Sequence, residues 1–202
     1  MVKRAMDIVG SGVALLLLSW LLGGLAILVW IKLGSPILFR QWRPGLNGKP
    51  FKLIKFRTLI NACTDAGEPL TDDQRQTKFG RFLRRTSLDE LPELWNVLRG
   101  EMSLVGPRPL LEEDGDQKDY LEKVRQQVRP GITGWAQING RDNITEDKKF
   151  ELDKWYVANQ SFWLDCKILL LTILKVVRRD NVRQHNNSKA SSETQATVNK
   201  KN

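Results

Sequence analysis

The sequence predicts a mostly helical α+β fold with a small β-hairpin, held at a membrane by an N-terminal re-entrant hydrophobic helix. Three observations carry that expectation. Ile8 to Ile31 contains no charged residue over 24 positions. Two short apolar runs between residues 36 and 58 flank a turn-rich centre, the pattern of a hairpin. Most of the remaining apolar residues recur at helical spacing.

Length and charge bound the rest. A chain of 202 residues is long enough for one domain with a real core. The expected division is a membrane helix at 1–34, a single domain at 35–180 and a disordered tail at 181–202. The net charge of +9 and the pI near 9.7 favour an anionic partner: a membrane surface, a phosphorylated substrate or nucleic acid. The cations are dispersed among apolar helices with no nucleic-acid motif, so nucleic acid is set aside. Cys63 and Cys166 are far apart, which fits a reducing compartment and no disulfide framework. The one histidine, His185, lies in the polar tail, which excludes Ser-His-Asp chemistry and His-rich metal sites.

Taken in order, a straight helix over Ile8 to Ile31 would be long enough for a bilayer at about 1.5 Å per residue. Hydropathy alone fits a simple spanning anchor equally well. The flanks favour re-entry: Lys3 and Arg4 precede the segment, while Lys32, Arg40 and Arg43 follow it. Both ends thus carry the positive charge that marks the cytoplasmic side. Ser19 and the pair Gly23-Gly24 sit near the middle and are the expected break. Residues 36–58 follow as a hairpin around Pro44-Gly45-Leu46-Asn47-Gly48. Lys55 and Arg57, two apart, share a face. They are either solvated surface cations or phosphate partners, with Lys55 beside the acidic stretch described next.

Residues 61–78 read as a loop with one helical turn around Asp72-Asp73-Gln74-Arg75, and Phe79 to Arg85 as a short helix. The chain is then organised around residues 84–109. Asp89 or Ser87 is placed to act as an N-cap, Ser87 and Glu90 have capping-box spacing, and Pro92 falls near the first turn. Leu91, Leu94, Trp95 and Leu98 form an i, i+3, i+4, i+7 stripe. Acidic residues in a first helical turn are ordinarily caps. Arg84, Arg85 and Arg108 add a second reading, in which the carboxylates and a phosphorylated substrate share the same cations. Magnesium is the natural bridge between carboxylates and a diphosphate. Beyond Pro109, residues 110–128 are charged and helix-compatible. Their acidic cluster Glu112-Glu113-Asp114 with Asp116 is read as a solvated face. Turn residues punctuate 130–140, where Gln137, Asn139 and Arg141 alternate and offer polar groups to a sugar or base. Residues 150–179 hold two helices, the second with Trp163 and lysines suited to a membrane interface or, equally, to a core.

The run Ser87-Leu88-Asp89-Glu90-Leu91-Pro92-Glu93-Leu94-Trp95-Asn96-Val97-Leu98, followed by Met102-Ser103-Leu104-Val105-Gly106-Pro107-Arg108-Pro109, resembles the bacterial sugar transferases. These small monotopic phosphoglycosyl transferases initiate glycan assembly on polyprenol phosphate. Phe51 to Thr58 and Arg129 to Arg141 match them in the same order, so the resemblance covers roughly residues 1–180. The family's re-entrant helix is usually kinked at a Ser-Pro pair. Here Ser19-Trp20 stands in that place, and tryptophan forces no bend.

The resemblance implies transfer of a sugar 1-phosphate from a UDP-sugar to polyprenol (undecaprenyl) phosphate, with release of UMP. This is the first membrane step of glycoconjugate and polysaccharide biosynthesis, on the cytoplasmic face of the bacterial inner membrane. By the same resemblance, Asp89 is the nucleophile and forms an aspartyl phosphosugar, and Glu90 positions Asp89 or Mg²⁺. Lys55, Arg57, Arg84 and Arg108 would meet phosphate, with Gln137 and Arg141 completing the binding set. The implied partners are the donor, the lipid acceptor and the bilayer, with a homodimer left open. Two alternatives stand beside this one: a polyprenol-linked glycosyltransferase that releases UDP, and a non-catalytic scaffold whose basic patch binds anionic lipid.

Overall fold

A computed structural model describes residues 2–62, 70–109, 123–140 and 144–178. Arg141, Cys63, the acidic cluster at 112–116, most of the expected helix at 110–128 and the tail at 181–202 lie outside the described residues. The elements run α1 (Val2–Leu17), α2 (Ser19–Leu33), β1 (Leu38–Pro44), β2 (Pro50–Phe56), α3 (Asp72–Arg75), α4 (Lys78–Thr86), α5 (Glu93–Arg99), β3 (Ser103–Val105), β4 (Gly131–Thr133), α6 (Trp135–Ile138), α7 (Glu146–Asn159) and α8 (Phe162–Arg178). The mostly helical content and the small antiparallel hairpin match the sequence expectation, as do the single turn at α3 and the short α4.

Helices α1 and α2 are bent from each other by 63°, and no single described helix is long and apolar enough to cross a membrane. The bend lies at Leu18, whose ψ of 5° leaves the helical region. Ser19 Oγ donates to Leu16 O at 2.8 Å, the back-bonding that bends helices without proline. Ser19 is therefore at the break, whereas Gly23 and Gly24 are not. Both lie within α2, and a Cβ at either would enter open space. Helical hydrogen bonding continues past them, so glycine alone does not interrupt the turn.

Both arms of this bent pair are fastened to the same domain. Arg4 donates to Val97 O at 2.7 Å and Leu98 O at 2.9 Å. These are carbonyls in the last turn of α5, where a cation complements the helix dipole. Lys3 Nζ reaches Asp165 Oδ2 at 2.6 Å and Val105 O at 2.9 Å. Buried Asp7 accepts from Ser103 Oγ and Leu104 N, each at 2.9 Å. The second arm buries Leu25, Val29 and Leu33 against Phe56 and Leu83. Leu16, Leu17, Trp20, Ile27 and Ile31, which face away, remain largely exposed. Lys3 and Arg4, two of the cations that flank the apolar segment, are thus also polar fasteners of the fold.

In the hairpin, β1 pairs with β2 from Leu38↔Phe56 to Pro44↔Pro50. Phe51 and Leu53 pack on Val97 and Met102. A second sheet pairs β3 with β4 in parallel. Sequence reading took residues 130–134 as turns, because three-residue strands are too short to show alternation. Gly131 is required there for close approach: a Cβ on it would collide with the backbone nitrogen of Gly106. Trp135 stacks on Trp155 with ring centroids 4.9 Å apart, so it packs. Because residues 135–138 form a helical turn, Gln137 and Asn139 do not alternate as strand positions. Helix α8 buries Asp165 and Ile168 and exposes Trp163, Leu170 and Ile173, so the core reading describes one of its faces and the other is apolar and exposed.

Replacing Asp7 with alanine leaves two inward donors without their acceptor. The expected loss is about 2–4 kcal/mol of stability in denaturant unfolding of the detergent-solubilised protein. A loss below about 0.5 kcal/mol would contradict the fastening role.

Candidate active site

The central carboxylates sit on a short 3-10 turn, Leu88–Glu90, between α4 and α5. They do not cap an α-helix as the sequence suggested. Ser87 ends α4 in the left-handed region at φ 54°, with its N–H returned to Arg84 O. It makes no side-chain cap to the turn that follows. Pro92 cannot donate to Leu88 O, so the turn closes one residue earlier, through Leu91 N to Leu88 O at 3.4 Å. Helix α5 begins only at Glu93 and buries Glu93, Leu94, Asn96 and Val97. Trp95, expected in the apolar stripe, is half exposed.

Asn96 explains that rotation. Its Nδ2 donates to Lys52 O at 2.8 Å, and its Oδ1 accepts from Ile54 N at 3.1 Å. An amide buried between strand and helix thereby fixes β2 against α5. Lys55, the next residue along β2, is delivered to the acidic cluster. Its Nζ lies 3.1 Å from Glu90 Oε1 and 3.0 Å from Glu93 Oε1. Arg108 arrives from the opposite side, with Nη2 2.5 Å from the same Glu90 oxygen. Backbone bonds hold its segment: Gly106 N to Thr133 O at 2.8 Å and Gly131 N to Pro107 O at 2.9 Å.

The electrostatics separate the three acids. Burial opposes charge on Glu90, but Arg108 and Lys55 overcome it and hold its pKa down at about 2. For Glu93, burial and then the negative charge of Glu90 push the carboxyl up to about 7, despite Lys55. Burial, then Glu90, also raises Asp89, with Lys55 and Arg84 pulling against them. Among the described residues the Asp89 carboxylate has no side-chain hydrogen bond or ion pair. It is a buried anion beside fixed cations that are committed elsewhere.

Of the residues singled out from sequence, Lys55, Asp89, Glu90 and Arg108 come together. Arg84 lies beside them, donating from Nε to Thr58 Oγ1 at 2.9 Å. Arg57 does not join. It is buried, and its guanidinium donates to Ser35 O at 2.9 Å and to Leu33 O, tying the end of α2 to β2. Gln137 sits on α6, its buried amide without a hydrogen-bond partner among the described residues. Glu93 and Asn96 were missed. The i, i+3 spacing of Glu90 and Glu93, and an amide inside an apolar helix face, were the available signals.

Among the described residues, no three or more His, Cys, Asp or Glu side chains are grouped so as to hold a metal ion. One open carboxylate beside a neutralised one still fits a hard cation that takes most of its ligands from water and substrate phosphate.

Residues 1–179 match the family described as bacterial sugar transferase. The chain belongs to that family. Among curated members, it is 50% identical over 184 residues to the uncharacterised sugar transferase EpsL of Bacillus subtilis (strain 168), covering 91% of each chain. It is 44% identical over 185 residues to the UDP-glucose:undecaprenyl-phosphate glucose-1-phosphate transferase of Escherichia coli (strain K12), covering 87% of this chain and 40% of that one. Identity to the undecaprenyl-phosphate galactose phosphotransferase of Salmonella typhimurium is 39% over 202 residues, covering 88% and 41%. The chain thus spans about two-fifths of these longer members of the family and nearly all of EpsL.

If Asp89 must be ionised to act, its raised pKa sets the acid limb of activity. The expected log kcat/KM profile falls with decreasing pH at a value above the 3.8 of an ordinary aspartate. An acid limb at or below that value would contradict the environment described.

Proposed function

We propose that the protein transfers a sugar 1-phosphate from a UDP-sugar to polyprenol phosphate, such as undecaprenyl phosphate, and releases UMP. The observation that carries this reading is the unpaired, buried Asp89 carboxylate next to Glu90, whose own charge is neutralised by Lys55 and Arg108. The names of the longer relatives, with their UDP-glucose and undecaprenyl phosphate, support the substrate classes.

In the first step an Asp89 carboxylate oxygen attacks the sugar-proximal phosphorus of the donor. The phosphorus–oxygen bond to the nucleotide breaks, and UMP leaves with the electron pair. In the second step a phosphate oxygen of the polyprenol phosphate attacks the same phosphorus and displaces the carboxylate. Splitting the transfer lets a water-soluble donor and a lipid acceptor visit the site in turn. Arg84, Arg108 and Lys55 lie where charge develops on the phosphoryl oxygens. Asp89 and Glu90 are the residues that would hold Mg²⁺, which would supply further neutralisation of the diphosphate.

The bent α1–α2 pair serves as a re-entrant membrane element. Both of its arms are fastened to one domain, so its exposed apolar elbow enters and leaves on a single side. The cytoplasmic face is that side, since the nucleotide sugar is cytosolic. Exposed apolar residues of α8 rest in the same interface.

Purified protein with Mg²⁺ and polyprenol phosphate is expected to release UMP from a UDP-sugar, and Asp89→Asn to reduce the rate by at least about a thousandfold with an unchanged melting temperature. UDP in place of UMP would indicate ordinary glycosyl transfer. Substantial turnover by the variant would remove Asp89 as nucleophile.

A further inference from the structure

The hairpin carries a further cation on the same side as Lys55. Arg43 pairs in register with Phe51, so it shares a sheet face with Phe51, Leu53 and Lys55, the face turned toward α5. Its Nη2 donates to Gln41 Oε1 at 2.7 Å, which draws the guanidinium back along the strand toward Lys55. Its Nε is buried without a partner, and Arg43 makes no ion pair among the described residues. The next residues, Pro44 and Gly45, form one wall of a surface cleft. Arg108, Arg125 and Pro130 form other parts of that wall. Burial lowers the Arg43 pKa first and the Arg108 charge lowers it further, with Glu93 opposing.

The Arg43 and Arg108 guanidinium groups repel each other, and among the described residues only Arg108, which lines the cleft, has a carboxylate in ion-pair contact. An anion with several oxygens, lying between them, would remove the repulsion and supply the acceptor that Arg43 Nε lacks. We propose that Arg43 is a phosphate-binding residue that closes with Arg108 on a substrate phosphate other than the one attacked by Asp89. Gln41 orients it for that contact. The inference rests on the phosphosugar-transfer reading. The phosphate has two sources of the same chemistry: the nucleotide-side phosphate of the donor, or the phosphate of the lipid acceptor.

The test is isothermal titration of the full chain in detergent with UDP, UMP, uridine and a short-chain polyprenol phosphate, comparing wild type with Arg43→Gln. Lys52→Gln, on the outer face of the same hairpin, controls for a general loss of positive charge and is expected to bind as wild type does. Weakening of UDP by about tenfold or more, with uridine unchanged and with UMP, which lacks the attacked phosphate, weakened to the same degree, supports the proposal and assigns the contact to the donor. Weakening of polyprenol phosphate alone supports it and assigns the contact to the acceptor. Equal affinities for both ligands in wild type and Arg43→Gln, or no binding of either by wild type, overturn it. If Arg43→Gln melts early, Arg43→Lys, which keeps the charge but loses the fork, reads the same contrast. Binding is measured without turnover. Normal UDP binding that Arg43→Gln weakens, in a protein that transfers nothing, would count against the reaction and leave the Arg43 assignment standing.

Discussion

The site depends on one shared cation. Lys55 stands between Glu90 and Glu93, two carboxylates that burial alone would drive toward protonation. Arg108 tips the balance by adding a second positive charge to Glu90, which stays ionised while Glu93 is driven up. Once Glu90 is satisfied, neither cation needs Asp89 as a partner. A carboxylate that is buried, free of ion pairs and close to positive charge is the form in which an aspartate can attack phosphorus without first breaking a salt bridge. Removing one member of such a buried set leaves another charge unpaired, so Glu90, Glu93, Lys55 and Arg108 behave as a unit.

That arrangement is built by elements far apart in the chain. Asn96 stitches β2 to α5, and the register of β2 then places Lys55. The parallel pair β3–β4, with its glycine contact, places the segment carrying Arg108. Lys3, Arg4 and Asp7 clamp α1 onto α5 and β3, so the apolar elbow is coupled rigidly to the same elements. On the proposed re-entrant reading, a site that takes one substrate from water and another from lipid would gain from such coupling, because the depth of the elbow would set the height of the carboxylates above the bilayer.

Much of this was legible in the sequence, where local chemistry decides. The hairpin, α3, α4 and the break at Ser19 follow from turn residues, caps and periodicity. Asp89, Glu90 and Arg108 stood out as charges set beside an apolar helix stripe, and the family resemblance joined Lys55 to them. What escaped depends on tertiary contacts. Ser87 and Glu90 have capping-box spacing, yet a left-handed Ser87 and the missing N–H of Pro92 produce a 3-10 turn. The stripe through Trp95 lost to Asn96, whose amide needed the strand edge. Arg57 looked like a partner of Lys55 by spacing, but two carbonyls at the end of α2 claimed it. Lys3 and Arg4 carried the sign expected of membrane flanks while doing structural work.

The most direct test of the account is to look for the covalent species itself. Intact-protein mass spectrometry after incubation with a turned-over UDP-sugar, Mg²⁺ and no lipid acceptor is expected to show one added sugar phosphate. Peptide mapping should place it on Asp89, and polyprenol phosphate should discharge it. Trapping no adduct under conditions where UMP release is fast, or finding the adduct on another residue, would contradict the account.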